Sequence, residues 1–250
     1  EAFELAKKYK KTLFSSPFSI RAVDLLESLN CKLYKIASFE ITDIRLIEYI
    51  ASKKKPIIIS TGMASLKEIK GAISIIEKYH SKIIIMHCVS NYPTKLKDTN
   101  LSNIIKLKSL FKKYTIGLSD HTKDNLSSLV SIPLGIKIIE KHFKINSKIK
   151  SVDSNFSITP NQLKNLKSQS SDIFFSLNSS KIKNNKINKF LRRSIYAKKN
   201  IRKDEYITKN HIEILRPKLG ICASEYYNTI GEKTKRRIKK GEPIYQRDLL

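Results

Sequence analysis

Short apolar runs rich in isoleucine, separated by helix-length amphipathic segments, recur from the N-terminus to about residue 165. Runs such as Pro56-Ile57-Ile58-Ile59 are nearly continuous rather than alternating, which suits strands of a parallel sheet covered by helices. The strand candidates are Thr12–Ser16, Leu33–Ala37, Pro56–Ser60, Lys82–Cys88, Tyr114–Leu118 and Lys137–Glu140. Between two of them Ser65-Leu66-Lys67-Glu68 reads as a capping box, and Leu66, Ile69, Ile73 and Ile76 follow at helical spacing. Repeated βα units build either a doubly wound sheet or a barrel. No Gly-rich dinucleotide fingerprint follows any strand, and polar residues cluster after nearly every one, as on the catalytic face of a barrel.

The expectation is therefore α/β, a TIM (β/α)8-type barrel. Eight strands close such a barrel, whereas six candidates are found here, and Glu1 to Tyr9 reads as the middle of a helix. The reading is of a barrel lacking its first two βα units. From about Ser168 the sequence turns rich in Ser, Asn and Lys, predicting a helix end and a linker. The predicted division is a partial barrel over 1–168, a linker over 169–189 and a small module over 190–250. That module carries strand-like pieces at Ser194–Ala197 and Pro243–Tyr245. It also holds two similar turns, Ile201-Arg202-Lys203-Asp204-Glu205 and Ile238-Lys239-Lys240-Gly241-Glu242. It reads as compact and mostly β, with short helices.

Charge narrows the class of partner. Lys+Arg 49 stand against Asp+Glu 22, a formal net charge of +27 over 250 residues. The lysines are scattered, which speaks for a broad bias in residue usage and against a specific nucleic-acid surface. A positive field also attracts an anionic substrate. Cys31, Cys88 and Cys222 show neither disulfide nor zinc spacing, so a reducing, cytoplasmic setting is expected. No apolar run approaches transmembrane length, so no membrane is expected as a partner.

Two strings concentrate chemistry, Ser119-Asp120-His121-Thr122 and Glu140-Lys141-His142-Phe143. Each puts a histidine where a strand should end, and imidazoles on neighbouring parallel strands can converge on one divalent metal. His87 lies in an apolar stretch beside Cys88 and reads as structural. Ser16, Lys35, Ser38, Glu40, Ser60, Ser90, Tyr92 and Ser119 fall on or after successive strands. Hydroxyls, a lysine and exposed backbone N–H groups on one face form a cradle for a phosphate ester. Lys35 has two open roles: a Schiff-base nucleophile, as in class I lyases, or a charged partner of phosphate.

Together these strings resemble the sialic acid synthase family, which condenses phosphoenolpyruvate with an N-acetylated amino sugar. The matching segments are Ser16-Pro17-Phe18-Ser19, Tyr34-Lys35-Ile36-Ala37-Ser38-Phe39-Glu40, Ser60-Thr61-Gly62-Met63, His87-Cys88 with Tyr92-Pro93, Gly117 to Thr122, and Glu140 to Phe143. Arg192-Arg193-Ser194, Arg216-Pro217 and Ile230-Gly231 resemble the family's antifreeze-like (SAF) domain. Ile36 to Asp43 and Asp153-Ser154-Asn155-Phe156-Ser157 look closest to pseudaminic acid synthases, although Ser151-Val152 replaces the Gly-Pro pair common before that aspartate.

The resemblance implies that His121 and His142 hold a divalent ion, Mn2+ or Mg2+. It implies that Lys35, Ser38, Ser60, Ser119, Ser16 and Ser90 bind phosphoenolpyruvate, with Lys35 and Glu40 also in catalytic roles. Glu40, Tyr92 and Asp153 would face the sugar, a diacetamido-trideoxy-altrose if the pseudaminic likeness holds, or else the sugars of N-acetylneuraminate or legionaminate synthesis. Arg216 would reach the sugar site of a partner in a domain-swapped homodimer. The family also carries a glutamate on its first barrel strand and a Lys-x-Gln motif on its second, neither present here. The stretch alone is accordingly expected to be inactive.

Overall fold

The isoleucine runs form a parallel sheet. In the computed structural model, which describes residues 1–179 and 189–250, five strands pair in sequential order: β1 (Tyr34–Ile36), β2 (Ile57–Ser60), β3 (Ile83–Cys88), β4 (Thr115–Asp120) and β5 (Ile138–Lys141). Around them lie α1 (Ala2–Lys8), α2 (Ile20–Ser28), α3 (Ile44–Ser52), α4 (Leu66–Glu77), α5 (Asn103–Leu110), α6 (Leu126–Ser131) and α7 (Pro160–Asn178). A doubly wound sheet reverses its strand order, whereas a (β/α) barrel winds one way. The order here is that of the barrel.

Alternation along each strand decides which side chains meet the helices. Ile57 and Ile59 of β2 and Ile85 of β3 are fully buried with Ile47 and Ile50 of α3 and Ile76 of α4 in one hydrophobic core. His87 follows the same parity: its Nε2 lies 2.8 Å from the Thr99 carbonyl and its Nδ1 3.5 Å from Asn103 of α5. The opposite parity carries Lys35, Ser60, Cys88, Ser119 and Glu140. Helix α4 starts as expected, with Ser65 and Glu68 forming a complete capping box.

Two expectations change. The predicted strand Thr12–Ser16 reduces to a single bridge between Ser15 and Tyr34, with the Lys35 N–H donating to the Ser15 carbonyl at 3.2 Å. Its described neighbour β1 is only three residues long, too short to support a longer ladder. The predicted linker from residue 169 begins inside α7, which continues to Asn178. Pro160 and the Thr159–Gln162 capping box start that helix. The hydroxyls of Ser171 and Ser176 then donate to the carbonyls of Lys167 and Asp172, so the serines are satisfied within the helix and do not stop it. The remainder of the predicted linker, 180–188, lies outside the described residues.

Residues 189–250 belong to a second compact unit. Here β6 (Ser194–Ala197) pairs antiparallel with β7 (Ile212–Leu215), and a short helix α8 spans Tyr226–Thr229. The two similar turns meet through their leading residues. Ile201 and Ile238, both fully buried, exchange backbone hydrogen bonds of 2.8 and 2.9 Å. Asp204 and Gly241 both take left-handed backbone, with φ of 62° and 84°. The expected strand at Pro243–Tyr245 contributes a bridge from Pro243 to Tyr196, and the Ile244 N–H donates to Ile195. Among the described residues no helix is long and apolar enough to cross a membrane.

Candidate active site

The strand ends build the site. β4 and β5 pair Asp120 with Lys141 at their last rung, so His121 and His142 leave the sheet at equivalent positions. Their ring centroids lie 5.2 Å apart. Tyr92 packs 4.3 Å from the His121 ring and Phe156 packs 4.7 Å from that of His142, an aromatic wall that limits ring rotation.

The backbone selects the tautomer of His121. Its Nδ1 lies 2.9 Å from the Val89 carbonyl, so Nδ1–H donates and Nε2 keeps its lone pair. Burial holds this imidazole below its ordinary 6.5, favouring the neutral ligand form. His142 Nδ1 sits 3.4 Å from Asp153 Oδ2, a close approach rather than a hydrogen bond. Asp153 is thus placed beside a histidine, with a half-exposed side chain.

Below the histidines lies a charged cluster in which Lys35 and Ser119 are buried and Glu140 is half-buried. Lys35 Nζ is 3.1 Å from Glu140 Oε1, and the Ser119 hydroxyl donates to the same oxygen at 2.6 Å. Burial alone would raise the Glu140 carboxyl, but the Lys35 ammonium and the Ser119 hydroxyl outweigh it and hold it below the usual range. Cys88 closes one side, its Sγ 3.9 Å from His121 Nδ1. Burial pushes that thiol up, so it stays protonated.

A row of polar atoms lines the neighbouring strand ends. Ser38 Oγ accepts from the Gly62 N–H at 3.0 Å. Ser60 Oγ, Ser90 Oγ and Glu40 Oε2 are buried and have no hydrogen-bond partner among the described residues. Buried polar atoms in native folds are almost always paired, so unpartnered ones in one region need an explanation, and a polar ligand is one. Burial raises the Glu40 carboxyl above its ordinary 4.5. Gly62 permits the crowding: a Cβ there would lie 2.0 Å from Ser90 Oγ and 2.7 Å from Ser38 Oγ.

Most of the sequence-derived candidates therefore lie at the strand ends: Lys35, Ser38, Glu40, Ser60, Ser90, Tyr92, Ser119, His121, His142 and Asp153. Ser16 is half-buried and joins none of these hydrogen bonds. Arg216 belongs to the second unit, exposed just after β7. Sequence reasoning did not single out Glu140, Cys88 or Gly62, although all three stand in the strings that drew attention. The usable signal was strand parity, which puts Cys88 and Glu140 on the face of Lys35.

The donor set suits a divalent ion. Two imidazole nitrogens on rigid strand ends could hold a first-row divalent ion, with oxygen ligands from substrate and water completing its coordination. Among the described residues no group of three or more His, Cys, Asp and Glu side chains is arranged to hold a metal.

A one-way parallel winding with a polar, partly charged cluster at its strand ends defines a barrel-type enzyme. The NeuB family model matches residues 1–182 and the SAF domain model residues 192–250, and the chain belongs to the NeuB family. It is 40% identical to a pseudaminic acid synthase of Helicobacter pylori, over 100% of this chain and 74% of that protein. It is 36% identical to an N,N'-diacetyllegionaminic acid synthase of Campylobacter jejuni, over 96% of this chain and 73% of that protein. Among solved structures, the spore coat polysaccharide biosynthesis protein SpsE of Bacillus subtilis superposes with a TM-score of 0.69 at 27% identity, covering 99% of this chain and 76% of that one.

Proposed function

We propose that the chain carries the site of a nonulosonic acid synthase of the pseudaminic type, an enzyme that condenses phosphoenolpyruvate with a diacetamido-trideoxy-altrose and releases phosphate. The observation that carries this is the convergence of His121 and His142, ring centroids 5.2 Å apart, above the Lys35–Glu140–Ser119 cluster. The identity to pseudaminic acid synthases supports the choice of sugar.

A divalent ion held by His121 and His142 supplies Lewis acidity at the sugar's carbonyl oxygen when bound. The protein's groups do the rest. Lys35 Nζ donates one hydrogen bond to Glu140 Oε1 and keeps two N–H donors for the phosphate. The unpartnered hydroxyls of Ser60 and Ser90 complete that cradle. The enol carbon of phosphoenolpyruvate forms the new C–C bond with the sugar aldehyde. Water then adds to the carbon that bore the phosphate, and phosphate leaves by C–O cleavage. Glu40 Oε2, buried without a partner, is the atom free to take or give the proton in that exchange.

Lys35 as a Schiff-base nucleophile would have to leave its 3.1 Å contact with Glu140. Arg216, exposed in the second unit, is assigned to the sugar of a second copy on the family likeness, within a homodimer that sedimentation would reveal. Calorimetry on the chain is expected to show Mn2+ binding and Mn2+-supported binding of phosphoenolpyruvate, both lost in His121→Ala and His142→Ala. Binding that ignores both histidines, or borohydride trapping of substrate on Lys35, would overturn the reading. Saturation by the legionaminate precursor in preference to the altrose would move the sugar assignment.

A further inference from the structure

Behind the two histidines, on the helix-facing side of β4 and β5, lies a second charged pair that the proposed chemistry does not use. Lys141 Nζ is 3.2 Å from Asp120 Oδ2, and the two side chains are only 3% and 1% exposed. The ammonium also donates to the Thr122 carbonyl at 2.7 Å and the Asp124 carbonyl at 2.9 Å. All three of its protons are thereby placed. The carboxylate is equally complete: the Thr122 N–H donates to Oδ1 at 2.8 Å and the Ser128 hydroxyl of α6 to Oδ2 at 2.5 Å. The network is closed, and none of these bonds reaches the substrate side.

Its members flank the histidines in the chain. Asp120 precedes His121 and Lys141 precedes His142, and the two form the last rung of the β4–β5 ladder. Lys141 further holds the backbone on the far side of His121, at Thr122 and Asp124. A buried ion pair is weak evidence for stability, because desolvation offsets its attraction, and fixing a unique geometry is its best-attested use.

We propose that the Asp120–Lys141 pair is a positioning brace that fixes the separation of the His121 and His142 imidazoles, so that the metal site is formed before the ion arrives. The inference rests on the metal reading above. Groups that orient metal ligands from behind typically cost ten- to a hundredfold in metal affinity when removed.

The test is Mn2+ binding by the chain, read as the loss of the free-ion EPR signal, with circular dichroism melts in parallel. Lys141→Met is expected to fold and to bind Mn2+ about ten- to a hundredfold more weakly. Lys141→Arg, which keeps the charge and the donors, is expected to recover most of that affinity. Ser128→Ala, which leaves the ion pair intact and removes one bond to it, is expected to fall between wild type and Lys141→Met. A wild-type chain that binds no Mn2+ would sink the metal reading and the brace with it. A wild-type chain that binds, together with a folded Lys141→Met of equal affinity, would sink the brace alone. If Lys141→Met does not fold, Ser128→Ala decides: unchanged Mn2+ affinity there reduces the network to a structural role.

Discussion

Gly62 and Glu40 show how closely this site trades packing against chemistry. A methyl group at Gly62 would overlap Ser90 Oγ and Ser38 Oγ, at 2.0 and 2.7 Å, and both hydroxyls would have to turn away. Serine rotamers can turn, so Gly62→Ala is expected to fold with a stability change within about 1 kcal/mol, as for most substitutions outside a packed core. Its affinity for phosphoenolpyruvate should fall about tenfold, the cost of one displaced hydrogen-bond donor of roughly 1.4 kcal/mol. Calorimetry beside a urea melt separates the two effects. Glu40 presents the opposite balance. Its carboxyl is raised by burial, so the folded state holds the proton more tightly than the unfolded state. Stability is therefore lost as pH rises past the ordinary value of 4.5. Glu40→Gln removes that penalty: its Tm should exceed wild type at pH 7 and the difference should vanish below pH 4.5. An equal gap at both pH values would show that ionisation is not the cause.

At the level of elements, what matters is where each strand or helix stops. β4 and β5 end on the Asp120–Lys141 rung, one position before each histidine, so both imidazoles leave the ladder at the same end. The expected strands, Tyr114–Leu118 and Lys137–Glu140, stopped short of those charged residues because a buried Asp and Lys do not look like strand. They complete the ladder only because each neutralises the other. Helix α4, whose start follows the strand end at Ser60, depends on a local device. The Glu68 carboxylate accepts from the Ser65 N–H at 2.7 Å, and the Glu68 N–H donates to Ser65 Oγ at 3.3 Å. Ser65→Ala is expected to cost about 1 kcal/mol, the usual worth of such a cap, and to leave Mn2+ binding unchanged. A urea titration measures the first and the EPR assay the second.

For the whole molecule, the net charge of +27 sets two opposed salt effects. Self-repulsion among so many cations weakens the folded state, and salt screens it over roughly 10 Å at 0.1 M. Raising NaCl from 50 to 500 mM should therefore raise Tm while weakening the binding of phosphoenolpyruvate, whose attraction is screened as well. A Tm that falls over that range would mean that specific ion pairs such as Arg236–Asp248 outweigh the net repulsion.

What was legible and what was not divides along the same scales. The isoleucine runs, the capping box at Ser65, the strand at Ser194–Ala197 and the two histidine-bearing strand ends were all readable, because each rests on residues close together in the chain. Helix α7 was cut short in the sequence reading because a run of serines looks like a breaker until their hydroxyls are seen bonding within the helix. Glu140 was passed over as a site residue for a different reason. Its partner Lys35 stands 105 positions away, and no local pattern joins them.

The sequence by itself determined which side chains share a face of each strand and where each strand gives way to polar residues, since both follow from a period of two along an extended backbone. Only the tertiary structure decided who meets whom. The parallel winding sets Lys35 against Glu140 on one side of the sheet, although three strands lie between theirs, and Asp120 against Lys141 on the other, on one rung of the β4–β5 ladder, because contacts between segments far apart in the chain, rather than any local preference, bring charges within reach of their neutralising partners.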